Sequence, residues 1–320
     1  MGGRHFTTAQ EKIEKQDISF RGSRSIPFPL NKIKLYTRHC EELLPFHKAA
    51  PLPWTTRLLN LPTQAIGGHV EIDEAVLLWD PRGWAASYYH WIIDFLPAAL
   101  SVSSSRVKLL VPYNITQWQV DSLRLLGIVD QQCIPVGEKL KPVTVNVRNI
   151  IRQGARYSNS QSDDYQKLNA DIFRNLIEKL TLKVGTPRRE QSVVLVSRED
   201  AKTRRLVNEE IIISHLSKFR LKKIVPSRMN LAEQITTFRG ATHVVAVHGA
   251  ALTNLMFCQP ETYVLEILST MHGVRPDIAI ISAACNLNYF ATLADSVNSS
   301  GDLGLDIQSL DSFCKISCLI

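Results

Sequence analysis

The residues best suited to chemistry lie between His243 and Ile267 (HVVAVHGAALTNLMFCQPETYVLEI). Val244 to Val247 is a short apolar run of the kind that forms a buried strand, and His248-Gly249 ends it. Ala250, Ala251, Leu252, Leu255 and Met256 then recur at helical spacing until Pro260, and Tyr263 to Ile267 reads as a second strand. In a parallel α/β sheet the turn after a strand's carboxyl end is where ligands bind. A helix starting there turns its first N–H groups toward an anion, typically a phosphate. Gly249, Ala250 and Ala251 leave room for such a ligand, and His248, Thr253 and Asn254 supply polar groups beside it. The stretch has neither the lysine of a P-loop nor a GxGxxG fingerprint.

A second cluster, Ser197 to Glu209 (SREDAKTRRLVNE), also sits between an apolar strand pattern and a helical one. Arg198, Lys202, Arg204 and Arg205 place four cations in it, and the guanidinium fork matches a diphosphate. Its arginines are either ligands to an anion or members of a solvated charged turn. Asn208 with Glu209-Glu210 suits a helix N-terminus. Glu266 falls inside an apolar strand, where a carboxylate is costly unless paired or near the ligand end of the sheet. It either accepts hydrogen bonds from ribose hydroxyls or makes a salt bridge to one of the arginines.

The third cluster is Ser87 to Leu100 (SYYHWIIDFLPAAL). Its apolar residues predict a buried helix with Ser87 at the N-cap, and Pro97 kinks that helix or starts a new one. His90 and Asp94 are four apart, so they share a face and the carboxylate can reach the imidazole. They are either a polar pair on an otherwise buried helix or the base that deprotonates an acceptor hydroxyl.

Asp-x-Asp occurs nowhere in the chain. A divalent metal on a sugar diphosphate usually wants that carboxylate pair, so charge neutralisation falls to the arginines and the helix start. No metal and no bound cofactor is expected. The six cysteines form neither a CxxC pair nor a zinc-spaced Cys/His cluster and read as reduced thiols. The 37 Lys and Arg against 30 Asp and Glu give a net charge of +7, which suits an anionic substrate or loose attraction to an anionic surface. RNP motifs, zinc fingers and aromatic-interleaved basic stripes are absent, which argues against nucleic acid as a partner. The apolar runs fall short of the ~18 residues that span a bilayer, and the polar N-terminus lacks the apolar core of a signal peptide. The chain is therefore expected in the cytoplasm, its basic balance leaving room for peripheral attachment at the inner face of the membrane.

These clusters must be positioned by alternating strands and helices. Residues 1–68, with six prolines from Pro27 to Pro62, predict an irregular lead-in packed on the first domain. Strands are expected at Val70–Trp79, Arg106–Tyr113 and Val143–Ile151, with a turn at 80–83 and helices at Thr116–Leu126 and Asp163–Leu182. Lys183 to Glu190, polar and broken by Gly and Pro, marks a boundary. A second alternating series follows it, with strands at Ser192–Val196 and Leu221–Val225 and helices at Asn208–Phe219 and Leu231–Gly240. Past the opening stretch come a helix at Pro276–Asn286, a short strand at Leu287–Phe290 and a terminal helix from Gly304 to Cys318. The result is an α/β chain with a Rossmann-like domain at 69–185, another at 186–320, and a ligand cleft between them.

Three motifs occur in order: YYHWxxDxLP at Tyr88 to Pro97, SRxxxxxRRxxNE at Ser197 to Glu209, and GxHGAxLTNxxF at Ala246 to Phe257. With the Leu231-Ala-Glu-Gln-Ile235 helix they resemble glycosyltransferase family 61 over residues 70 to 270. That family includes animal EGF-domain O-linked N-acetylglucosamine transferases, plant xylan glycosyltransferases and bacterial capsular polysaccharide proteins. The resemblance implies a glycosyltransferase-B fold, a nucleotide-sugar donor in the C-terminal domain, inversion at the anomeric carbon and no metal. It adds weight to Arg198, Arg204, Arg205, His248 and Glu266 on the donor side and to the His90/Asp94 face on the acceptor side, where Asp94 is the better base. Two positions depart from the family pattern: Ala246 stands where relatives often carry Gly, and Ala98 where many carry Arg.

The leading expectation is inverting transfer of a sugar from a nucleotide sugar, with UDP the favoured nucleotide, to a hydroxyl of a glycan or polysaccharide. The alternatives are a sugar-nucleotide epimerase on the same scaffold and a non-catalytic sugar-nucleotide or polysaccharide-binding protein.

Overall fold

A computed structural model describes residues 7–8, 55–58, 69–79, 84–112, 114–136, 143–151, 156–157, 167–168, 170–185, 187, 191–270 and 277–320. The chain divides into two compact units: an N-terminal one, Lys34–Lys183, and a C-terminal one, Val184–Ile320 together with Met1–Ile33. Within the lead-in expected on the first domain, Thr7–Thr8 pair antiparallel with Phe290–Ala291 of the C-terminal unit. Most of the expected lead-in at 1–68 and the turn at 80–83 lie outside the described residues.

In the N-terminal unit the strands are β1 (Thr55–Leu58), β2 (His69–Leu77), β3 (Lys108–Pro112), β4 (Cys133–Val136) and β5 (Val143–Ile151). Their order is β4-β3-β2-β5, all parallel, and β1 runs antiparallel to both β4 and β5 and closes the ring. Alternating strands and helices predict the parallel core; the closure depends on β1, whose segment carries only weak periodicity in sequence.

Helix α1 has three parts: Tyr88–His90, a π-turn over Trp91–Phe95, and Leu96–Ser101. Ser87 occupies the N-cap with extended backbone, and its carbonyl accepts from Trp91 N–H at 2.8 Å. The side chain of Ser87 makes no cap bond. Leu96 N–H reaches back five residues to the Trp91 carbonyl, so the helix widens where Pro97, lacking an N–H, would otherwise clash with the preceding turn. Trp91, Ile92, Ile93 and Leu96 are fully buried, and Trp91 Nε1 donates to Ser122 Oγ at 2.9 Å. Helix α2 (Gln117–Leu125) opens on Thr116, whose N–H is capped by Gln119 Oε1 at 2.8 Å, and closes at Gly127 with φ +82°. Helix α3 (Ala170–Thr181) buries Phe173, Leu176 and Leu180 at the spacing of one helical face. It starts later than the expected Asp163: Lys167–Leu168 pair antiparallel with Arg156–Tyr157 instead.

The C-terminal unit carries the clearer architecture. Strands β6 (Val193–Val196), β7 (Leu221–Ile224), β8 (His243–Val247), β9 (Tyr263–Ser269) and β10 (Asn288–Ser296) form a wholly parallel run ordered β7-β6-β8-β9-β10. The chain steps outward from β6 to β7, then returns past β6 to β8 and continues the other way. β6 and β8 therefore flank the point where the order reverses, and ligands bind outside the carboxyl ends of the strands there. Every residue of β6 and of β8 is buried, as strands covered on both faces require.

The crossovers are α4 (Glu209–Leu216), α5 (Leu231–Gly240) and α6 (Asp277–Ala284), with α7 (Ile307–Ile316) at the end. Helix α5 has a full capping box, Asn230 accepting from Glu233 N–H at 2.9 Å and Glu233 from Asn230 N–H at 2.8 Å. One core joins Val193, Leu195, Val245, Val247, Leu265, Ile267 and Phe290 on the sheet to Ile212 and Leu216 of α4 and Leu310 and Phe313 of α7. Two expectations change. β10 is a nine-residue strand, longer than Leu287–Phe290. The segment after Gly249 is a 3₁₀-helix over Ala250–Phe257, a tighter winding than the helix its apolar spacing predicts. Among the described residues no helix is long and apolar enough to cross a membrane.

Candidate active site

The loops after β6 and β8 meet at the reversal point. Arg198, two residues past β6, lays its guanidinium against Gly249, two residues past β8. A Cβ on Gly249 would collide with Arg198 Nη1. The glycine's own φ of 175° is ordinary extended backbone, so the requirement is for space and not for conformation.

Arg198 is half-buried, and among the described residues no carboxylate forms an ion pair with it, although the charge of Asp200 acts on it. Its hydrogen bond runs from Nη2 to the Thr203 carbonyl at 3.3 Å, and its buried Nε has no partner among the described residues. Burial, and then the charge of Arg204, push this guanidinium down to about 10, which still leaves it protonated at neutral pH. Arg204 takes a left-handed backbone, φ 59°, which costs a residue with a Cβ on the order of 1–3 kcal/mol. That conformation brings its Nη1 to the His248 carbonyl at 3.0 Å, so both arginines converge on the His248-Gly249 turn.

Arg205 faces elsewhere. Its guanidinium binds Asp302, with Nη2 to Oδ2 at 2.8 Å, and its backbone N–H donates to Asp302 Oδ1 at 2.9 Å. The carboxylate is 2 % exposed and is held in turn by Asn298 at 3.1 Å. Arg205 thus fastens its loop to the 298–302 segment. Asn208 does the same, its side chain bonding the backbone of Leu305 in both directions, 2.8 and 3.1 Å, in place of the expected N-cap bond. Glu209 accepts from Ser197 Oγ at 2.9 Å and from Lys223 Nζ at 2.7 Å and so holds the start of the arginine loop.

His248 is paired with Glu266: Nδ1 and Oε1 are 2.5 Å apart. Glu266 is fully buried, and its other oxygen accepts from Tyr289 Oη. Glu266, read in sequence as either a ribose contact or a salt bridge to an arginine, has no exposed surface here and pairs with His248. Thr253 and Asn254 are fully buried as well. Asn254 Nδ2 donates to Gln234 Oε1 at 2.8 Å and ties the 3₁₀ turn to α5, while Thr253 Oγ1 has no hydrogen-bond partner among the described residues. Both side chains lie inside the turn. The surface left at the crevice belongs to Arg198, Arg204, His248, Ala250 and Ala251, all partly exposed. Tyr289 is the participant that sequence reasoning missed, since it lies in an apolar strand outside every motif.

In the N-terminal unit His90 Nδ1 and Asp94 Oδ2 are 2.7 Å apart, with side-chain exposures of 24% and 9%. Trp84 stacks on the imidazole at 4.8 Å between ring centres. The π-turn runs through Asp94, and π-turns often mark functional positions.

Residues 88–265, more than half of the chain, match the family model described as glycosyltransferase 61. The chain is also similar to beta-1,2-xylosyltransferase RCN11 of Oryza sativa subsp. japonica, 43% identical over 65 residues that make up 20% of this chain and 12% of that protein.

Proposed function

Because the chain belongs to glycosyltransferase family 61, we propose that it transfers a sugar from a nucleotide sugar, UDP-linked, to a hydroxyl of a glycan or polysaccharide acceptor. The observation that carries this reading is Arg198, a half-buried guanidinium with no ion-pair partner among the described residues, beside a second arginine at the reversal point of a parallel sheet. Two guanidinium groups converging on one turn suit an anion with at least two charges. A diphosphate fits, and each guanidinium can hold its oxygens bidentately.

In the proposed reaction the acceptor oxygen attacks the anomeric carbon as the bond to the diphosphate breaks, inverting that centre. The electron pair leaves on the nucleoside diphosphate, where Arg198 and Arg204 stabilise the growing charge without a metal. The acceptor's proton passes to Asp94, which His90 holds in orientation. This reading carries with it a glycosyltransferase-B architecture, with donor and acceptor sites on separate units. UDP-xylose is the first donor to test, because the rice relative is a xylosyltransferase; UDP-hexoses are the second.

The test is thermal unfolding with UDP, inorganic pyrophosphate and UDP-sugars, followed by transfer assays on any donor that binds. A ligand of the native state must raise the midpoint. The reading fails if saturating UDP and UDP-sugars leave it where it was.

A further inference from the structure

Three side chains form a diagonal across the sheet below the crevice. Glu266 of β9 pairs in register with Ala246 of β8 and with Ala291 of β10. His248 lies two residues beyond Ala246, and Tyr289 two residues before Ala291. With side chains alternating at period two, all three fall on one face, each a diagonal neighbour of the next. Tyr289 Oη donates to Glu266 Oε2, and Glu266 Oε1 lies 2.5 Å from His248 Nδ1. The first two members are sealed from solvent, Tyr289 at 2% and Glu266 at 0% exposure, and His248 alone reaches the surface. Burial, and then the charge of Glu266, push the phenol well above its ordinary value, so it keeps its proton. His248 Nε2 makes no hydrogen bond among the described residues.

We propose that Tyr289 is a positioning residue for the donor: by donating to Glu266 it holds the carboxylate on His248 Nδ1 and leaves Nε2 facing the crevice to accept from a hydroxyl of the nucleotide sugar. The inference rests on the reading of the crevice as a nucleotide-sugar site. It transfers to His248 the hydroxyl contact that buried Glu266 is not exposed to make. A carboxylate fixed behind a ligand-bearing histidine selects one tautomer and one ring orientation.

The experiment uses the full chain labelled with ¹⁵N-histidine, with His248→Asn to assign the ring signal. In the wild type, long-range ¹H–¹⁵N spectra should show the proton on Nδ1. Tyr289→Phe and the isosteric Glu266→Gln should both populate the other tautomer. Calorimetry should show UDP bound three- to tenfold more weakly by Tyr289→Phe and at least tenfold more weakly by Glu266→Gln, while pyrophosphate, which has no sugar hydroxyl, binds all three proteins alike. An unchanged tautomer in a folded Tyr289→Phe would overturn the proposal, and so would equal weakening of UDP and pyrophosphate, which is the mark of a merely structural role. If Tyr289→Phe does not fold, Glu266→Gln decides alone. If the wild type binds neither UDP nor pyrophosphate, the nucleotide-sugar reading fails and this proposal with it, whatever the tautomer shows.

Discussion

Arg198 Nη1 fills the space that a side chain on residue 249 would need. The pair is therefore a lock: the glycine admits the guanidinium, and the guanidinium gives the crevice its charge. Gly249→Ala should push Arg198 out of place while the backbone, already extended, accepts the new residue. The expected result is at least tenfold weaker binding of UDP and pyrophosphate, about 1.4 kcal/mol, with a far-UV spectrum like the wild type's. Wild-type affinity in calorimetry would show that the placement of Arg198 does not matter to binding.

Arg198 is a half-buried cation with no ion pair among the described residues. Removing such a charge relieves desolvation, so Arg198→Met should unfold at the wild-type temperature or above it. The same variant should lose the midpoint rise given by UDP. Arg198→Lys keeps the charge but not the planar fork, and should retain a weakened rise. A stability loss in Arg198→Met as large as that of a core truncation would mean the arginine is structural.

The sequence shows the alternation of strands and helices because apolar runs, glycines and prolines are local signals. Asn230, Glu233 and Pro97 each announce their element in this way. Pairings between distant residues leave no such signal. The Arg204-Arg205 doublet is symmetrical in sequence, and only Asp302, 97 residues downstream of Arg205, separates the two roles. Thr253 and Asn254 read as ligand groups because they are polar beside a glycine, yet the eight-residue 3₁₀ winding turns them inward. Tyr289 meets Glu266 through a strand register that no spacing encodes. His248, Arg198 and the reversal point are legible because a strand's carboxyl end is itself a local feature.

Asp302 gives a prediction about acid. Hydrogen bonds from Arg205 hold its carboxyl well below the usual carboxylate range. A depressed folded value contributes stability that is fully present above the unfolded value of about 3.9 and is lost as pH falls toward the folded one. Asp302→Asn should melt below the wild type at pH 7, and the gap should narrow steadily below pH about 4. Thermal unfolding followed from pH 7 to pH 3 measures it. A gap that stays constant to the acid limit would show that the carboxylate's ionisation contributes nothing.

Asp94 is the candidate base, with Oδ2 at 2.7 Å from His90 Nδ1 and only 9% of its side chain exposed. Asp94→Asn keeps the shape and the polarity but takes no proton. The donor residues proposed above lie in the other unit, so UDP binding should be unaffected. Transfer should fall by the factor of about 10²–10⁴ that general bases supply. His90→Gln should fall less, because the histidine orients the base and does not take the proton itself. Initial rates across pH, with UDP affinity by calorimetry alongside, separate the two steps. Wild-type transfer by Asp94→Asn would remove Asp94 from the reaction, and lost UDP binding in that variant would assign it to the donor side.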